Sequence, residues 1–148
     1  MIALGSDHAG FPLKEVVRKY LEEQQIPFKD YGCFNTDSVD YPDQALKVAQ
    51  AIVAGEADRG ILICGTGIGI SISANKVPGI RAALCGDVYS AKYTRLHNDA
   101  NILAMGDRVL GEGLALEIVK TFLETEFEGG RHQRRVDKIA QIEKMYSK

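Results

Sequence analysis

Short apolar runs alternate with longer amphipathic stretches along the whole chain. Ile2–Leu4, Phe28–Tyr31, Ile61–Ile63, Ile80–Cys85 and Ile102–Met105 read as strands, the second of them weakly patterned. Between them, apolar residues recur at three- and four-residue spacing. Leu13, Val16, Val17, Tyr20 and Leu21 predict a helix over Phe11–Gln25, with Pro12 in its first turn and Pro27 just past its end. Leu46, Ala49, Ile52 and Val53 predict the buried stripe of a second helix, which starts around Asp40–Asp43 and runs to Gly55. Asp40 stands where it could cap that helix. Helices are also predicted over Val88–His97, Leu114–Phe122 and Arg134–Tyr146, the last with Val136, Ile139, Ile142 and Met145 on one face. This alternation predicts an α/β fold in one domain over residues 1–148, a parallel sheet with helices on both faces. Ligands of such sheets bind beyond the carboxyl ends of the strands, where the strand order switches. Asp7, His8, Cys64 and Asp87 all fall just past a strand end.

Composition narrows the field. With 45% hydrophobic and 26% charged residues the chain reads as a soluble globular protein. Its net charge of −2 gives no electrostatic reason to expect nucleic acid or a membrane surface as partner. No eighteen apolar residues run together, and no basic segment precedes a long apolar one, so neither a membrane span nor a signal peptide is expected. Cys33, Cys64 and Cys85 are odd in number and lack a C-x-x-C pair, which argues against a disulfide framework or structural zinc. A reducing, cytoplasmic setting follows as the expectation.

The chemistry concentrates in Gly60–Lys76, G-I-L-I-C-G-T-G-I-G-I-S-I-S-A-N-K. A buried strand stops at Cys64, and Gly65, Gly67 and Gly69 lead into a helix start. Such a junction presents free N–H groups and a partial positive charge, suited to a phosphate or an enediolate oxygen. Free cysteines are usually small buried hydrophobes, but one at the mouth of this loop is placed to work as a thiolate. Cys33 and Cys85 lack such a setting and read as structural. The loop also invites a dinucleotide reading. However, G-x-G-x-x-G needs glycine where Ile70 stands, the fingerprint belongs to a first strand, and no G-K-[ST] follows.

His8 and His97 each sit among polar residues, beside Asp7 and Asn98-Asp99 respectively, and could serve as acid–base groups. No histidine pair at i, i+4 spacing favours a metal site. Arg131 and Arg135 would share one helical face and could grip one phosphate together, with Arg108 as a third candidate. One short basic cluster in an acidic chain suits a small phosphorylated ligand better than a polynucleotide.

Taken in order, Ser6-Asp7-His8-Ala9-Gly10, Tyr41-Pro42-Asp43, Cys64-Gly65-Thr66-Gly67-Ile68-Gly69, Ser73-Ala74-Asn75-Lys76, His97-Asn98 and Gly130-Arg131-His132-Gln133-Arg134-Arg135-Val136 resemble the type B ribose-5-phosphate isomerases. Their wider group includes galactose-6-phosphate and allose-6-phosphate isomerases. The resemblance spans essentially the whole chain. It implies a Rossmann-like αβα sandwich with a five-stranded parallel sheet and a C-terminal helix, and a cofactor-free interconversion of ribose 5-phosphate and ribulose 5-phosphate in the pentose phosphate pathway.

By the same resemblance Cys64 is the base, Thr66 assists it, and His97 opens the sugar ring. The amides of Gly65, Thr66, Gly67, Ile68 and Gly69 form the anion hole. Asp7, His8, Tyr41, Asn98, Arg108, Arg131 and Arg135 contact substrate, the arginines mainly its phosphate. The resemblance also implies a homodimer, or a dimer of dimers, with sites shared between subunits. In one branch of the family a glutamate in the glycine loop replaces the thiol. The corresponding position here is Ile70, which cannot take a proton. The alternatives are turnover of allose 6-phosphate, a nucleotide-binding module and a non-catalytic phosphosugar sensor.

Overall fold

The computed structural model describes residues 1–147. Five strands, β1 (Ile2–Ser6), β2 (Phe28–Asp30), β3 (Arg59–Cys64), β4 (Ala82–Leu84) and β5 (Ile102–Gly106), form one parallel sheet in the order β2-β1-β3-β5-β4. Six helices accompany it: α1 (Phe11–Glu23), α2 (Tyr41–Val53), α3 (Ile68–Ala74), α4 (Val88–Asn98), α5 (Glu112–Glu124) and α6 (Arg131–Tyr146).

Strand alternation sorts the core into two layers. Leu4, Ile61, Ile63, Leu103 and Met105 face α1, α4 and α5, where Leu13, Val17, Ala91, Ile118 and Phe122 meet them. Ala3, Leu62, Cys64, Ile102 and Ala104 face α2 and α3, against Ala45, Val48, Ala49, Ile70 and Ala74. The αβα sandwich is therefore as expected. From β1 the chain crosses to β2 on one side, while β3 lies on the other. The switch in strand order thus falls between β1 and β3, and Asp7 and Cys64 stand at their carboxyl ends.

The face α2 buries differs from the predicted stripe. Ala45, Val48, Ala49 and Ala51 are buried, while Leu46 and Val53 are 44% and 51% exposed. Close approach decides this. A Cβ on Gly5 would lie 2.8 Å from Val48, and one on Gly60 2.7 Å from it, so Val48 packs directly over two bare strand positions. Small residues let the helix descend onto the sheet, and the larger ones are left outside. Asp40 precedes α2 without a side-chain cap; its carbonyl accepts the Asp43 N–H at 3.2 Å instead. β4 is shorter than the predicted Ile80–Cys85. The C-terminal helix begins three residues earlier than predicted, at Arg131, and buries only His132 and Val136.

Lys14, fully buried on α1, is ion-paired to Asp30 at the end of β2, and the Asp30 carboxylate also accepts the Gly32 N–H at 2.8 Å. Removing one partner of such a pair leaves an uncompensated charge. At the opposite end of the loop after β1, Gly10 lies flat on β3. A Cβ there would stand 2.2 Å from the Ile63 carbonyl oxygen and 2.9 Å from the Cys64 nitrogen. Backbone cannot yield as a side chain can. Gly10→Ala is expected to cost roughly 3 kcal/mol through overpacking and to lower Tm by about 5–10 °C in thermal denaturation.

Candidate active site

Beyond the carboxyl ends of β1 and β3 lies a cleft of about 500 Å³. Asp7 and His8 enter it from the loop after β1, Tyr41 from the start of α2, and Cys64, Gly65, Thr66, Ile68 and Gly69 from the β3–α3 loop; Arg108 closes it from the loop after β5.

Cys64 is the last residue of β3 and is 5% exposed. Its sulfur accepts the Gly67 N–H at 3.1 Å. That bond needs the chain to fold back within three residues, which Gly67 permits by adopting φ +81°. The turn is tightly housed, since a Cβ on Gly67 would meet Leu84 at 2.5 Å and the Met105 carbonyl carbon at 2.8 Å. Gly69 is equally constrained: a Cβ there would sit 2.6 Å from the Tyr41 ring. The Thr66 hydroxyl oxygen accepts the Ile68 N–H at 3.2 Å, leaving its own hydrogen free to donate. Two of the five amides expected to form an anion hole are thus engaged within the loop. Ile70 points into the α2–α3 core and is fully buried.

The two polar residues after β1 are also held. One Asp7 carboxylate oxygen accepts the Gly10 N–H at 2.9 Å. His8 Nδ1 accepts the Val39 N–H at 3.1 Å, so the neutral ring carries its proton on Nε2. The loop after β5 is fastened to the strand bearing the thiol, with the Asp107 N–H on the Cys64 carbonyl (2.9 Å) and the Arg108 N–H on the Gly65 carbonyl (3.0 Å). The Arg108 guanidinium leans over Gly65, 3.4 Å from where a Cβ would stand.

His97, Asn98, Arg131 and Arg135 are not in this cleft. His97 and Asn98 end α4 and line a separate hollow of about 350 Å³ with Leu84, Cys85, Tyr89 and Tyr93. Burial, with Asp87 nearby, pushes the Cys85 thiol up to about 11, so it stays protonated at neutral pH. Asp87, just past the end of β4, caps α4 by accepting the Ser90 N–H at 2.6 Å.

The His97 ring stacks on His132 of α6, with centroids 4.1 Å apart and planes 12° from parallel, and meets Tyr93 edge-on at 5.0 Å. Burial and the facing His97 lower the pKa of His132; the Arg131 and Arg135 charges act the same way, against Glu128. Arg131 and Arg135 stand exposed on the first turns of α6 beside it. Glu128 and His132 escaped the sequence argument. The histidine contact joins two helices, and only the i, i+4 spacing of Glu128 and His132 hints at it.

The family described as ribose/galactose isomerase matches residues 2–139. The chain is 51% identical to ribose-5-phosphate isomerase B of Escherichia coli strain K12 over 142 residues, which cover 96% of this chain and 95% of that protein. It is 47% identical over 143 residues to the D-erythrulose-4-phosphate isomerase of Pectobacterium atrosepticum, covering 96% of this chain and 94% of that one. Among solved structures it resembles Clostridium thermocellum ribose-5-phosphate isomerase B with a TM-score of 0.97, at 58% identity and 99% coverage of both chains.

Proposed function

The chain belongs to the ribose/galactose isomerase family, and from that premise we propose that it interconverts D-ribose 5-phosphate and D-ribulose 5-phosphate through an enediolate. The observation that carries this reading is the Cys64 sulfur, held by the Gly67 N–H at 3.1 Å in a cleft at the strand-order switch. The reaction needs a ring-opening acid, a base for the C2 proton and a stabiliser for the enediolate oxygens. His97 protonates the ring oxygen as its bond to C1 breaks, and the C1 hydroxyl loses its proton to solvent as the C1 carbonyl forms. Cys64, as the thiolate, takes the proton from C2, and the electron pair moves to the former carbonyl oxygen. The Thr66 hydroxyl and the uncommitted amides of Gly65, Thr66 and Gly69 stabilise that oxygen. A proton passes from the C2 hydroxyl to the C1 oxygen, the C2 carbonyl forms, and return of the first proton to C1 gives the ketose.

Arg131 and Arg135 hold the phosphate, and this remote binding positions the open chain. In one chain those arginines, His97 and Asn98 lie on a surface apart from the Cys64 cleft. The complete site therefore forms between two copies, each lending one half.

Steady-state turnover of ribose 5-phosphate, measured with a chelator present, tests the reading. Appearance of the ketose supports it; no turnover would overturn it. A higher kcat/KM on D-erythrulose 4-phosphate would keep the reaction class and change the substrate. The double variant Arg131→Ala/Arg135→Ala should raise KM for ribose 5-phosphate at least about tenfold, given ~1.5–3 kcal/mol for each charge-assisted phosphate contact. An unchanged KM would remove these arginines from phosphate binding.

A further inference from the structure

We propose that His97, Glu128 and His132 form a binding site for one divalent transition-metal ion of the zinc class, apart from the Cys64 cleft of the same chain. One ligand atom from each residue lies within 4.8 Å of the other two. Glu128 faces both imidazoles, with Oε1 3.8 Å from His132 Nε2 and Oε2 4.0 Å from His97 Nε2. Two imidazoles and one carboxylate are the donor set of open zinc sites, which leave a fourth position for water.

The cluster is held by backbone as well as side chains. The Glu128 N–H donates to the Leu96 carbonyl at 3.1 Å, pinning the acid next to the end of α4. Gly129 and Gly130, with φ +71° and +57°, then turn the chain so that α6 presents His132 to His97. His132 is 5% exposed and is held in place, whereas Glu128 and His97 are exposed enough to move. Zinc–nitrogen bonds of about 2.0–2.1 Å require converging donors closer together than these are, so the ion draws the carboxylate inward and turns the exposed His97 ring off its stack on His132. Arg131 and Arg135 oppose a cation nearby. The nitrogen donors therefore select a tightly ligating ion such as Zn²⁺ over Mg²⁺ or Ca²⁺.

A zinc ion there would occupy the lone pair of His97 and stop ring opening; this consequence, unlike the site itself, rests on the function proposed above. Titration calorimetry with Zn²⁺ on the full chain, without chelator, tests the site. The expected result is one ion per chain in the wild type and in Cys64→Ala, with affinity at least tenfold weaker in His132→Ala and in Glu128→Gln. The exposed Glu128 gives a variant whose folding is not in question. Co²⁺ in place of Zn²⁺ should show visible bands without a thiolate charge-transfer band. Absence of wild-type binding, equal affinity in His132→Ala and Glu128→Gln, or a thiolate band would overturn the proposal. Zinc bound as expected with turnover unaffected would keep the site and remove His97 from ring opening.

Discussion

Cys64→Ala should lower kcat/KM for ribose 5-phosphate by about a thousandfold, within the range of a lost general base, while the protein stays folded. The substitution keeps the Cβ in the α2–α3 core and removes only the sulfur and its bond to the Gly67 N–H. The other proton-accepting side chains of the cleft are already engaged by backbone. Asp7 has an oxygen committed to the Gly10 N–H, His8 Nδ1 is committed to Val39, and Ile70 is apolar and buried. Initial rates of ketose formation, paired with thermal melting, check this outcome. Activity within tenfold of wild type would mean another group takes the proton.

Mixing Cys64→Ala with His97→Ala, each nearly inactive alone, should restore about a quarter of wild-type activity. The arithmetic follows from a two-fold assembly in which each site takes Cys64 from one copy and His97 from the other. Random exchange makes half the dimers mixed. Each mixed dimer has one site with both groups intact and one with both missing, so a quarter of all sites work. The separation of the Cys64 cleft from the His97 hollow motivates the expectation. So do the apolar residues this chain leaves uncovered, Leu46 on α2 and Ile139, Ile142 and Met145 on α6. Activity is followed after subunit exchange at raised temperature. A mixture no more active than its components would place both groups in sites that one copy completes.

Where local pattern and tertiary packing agree, the sequence was a sufficient guide. β3 and the glycine loop were legible because a buried strand, a positive-φ turn and a helix start each leave a short-range mark, and Gly67 has the conformation that the turn demands. The parallel sheet followed from alternation alone. The α2 stripe was misread because size suggested that Leu46 and Val53 point inward, while docking over Gly5 and Gly60 favours Ala45, Val48 and Ala49. That preference depends on β1 and β3, which the helix's own period cannot report. How much of the α6 face is covered is likewise not set by its own period. Its apolar period is regular, yet this chain covers only Val136 among the predicted face residues. Glu128 was missed entirely, since its meaning comes from His97, thirty-one positions earlier in the chain.

Isotope exchange reports removal of the proton next to the sugar carbonyl, the step assigned to Cys64, apart from net turnover. Wild type and Cys64→Ala are each incubated with ribose 5-phosphate in D₂O, chelator present, and followed by proton NMR. Wild type should form ketose with solvent deuterium incorporated, and exchange and turnover should fall together in the variant. Exchange at the wild-type rate in Cys64→Ala would contradict that assignment.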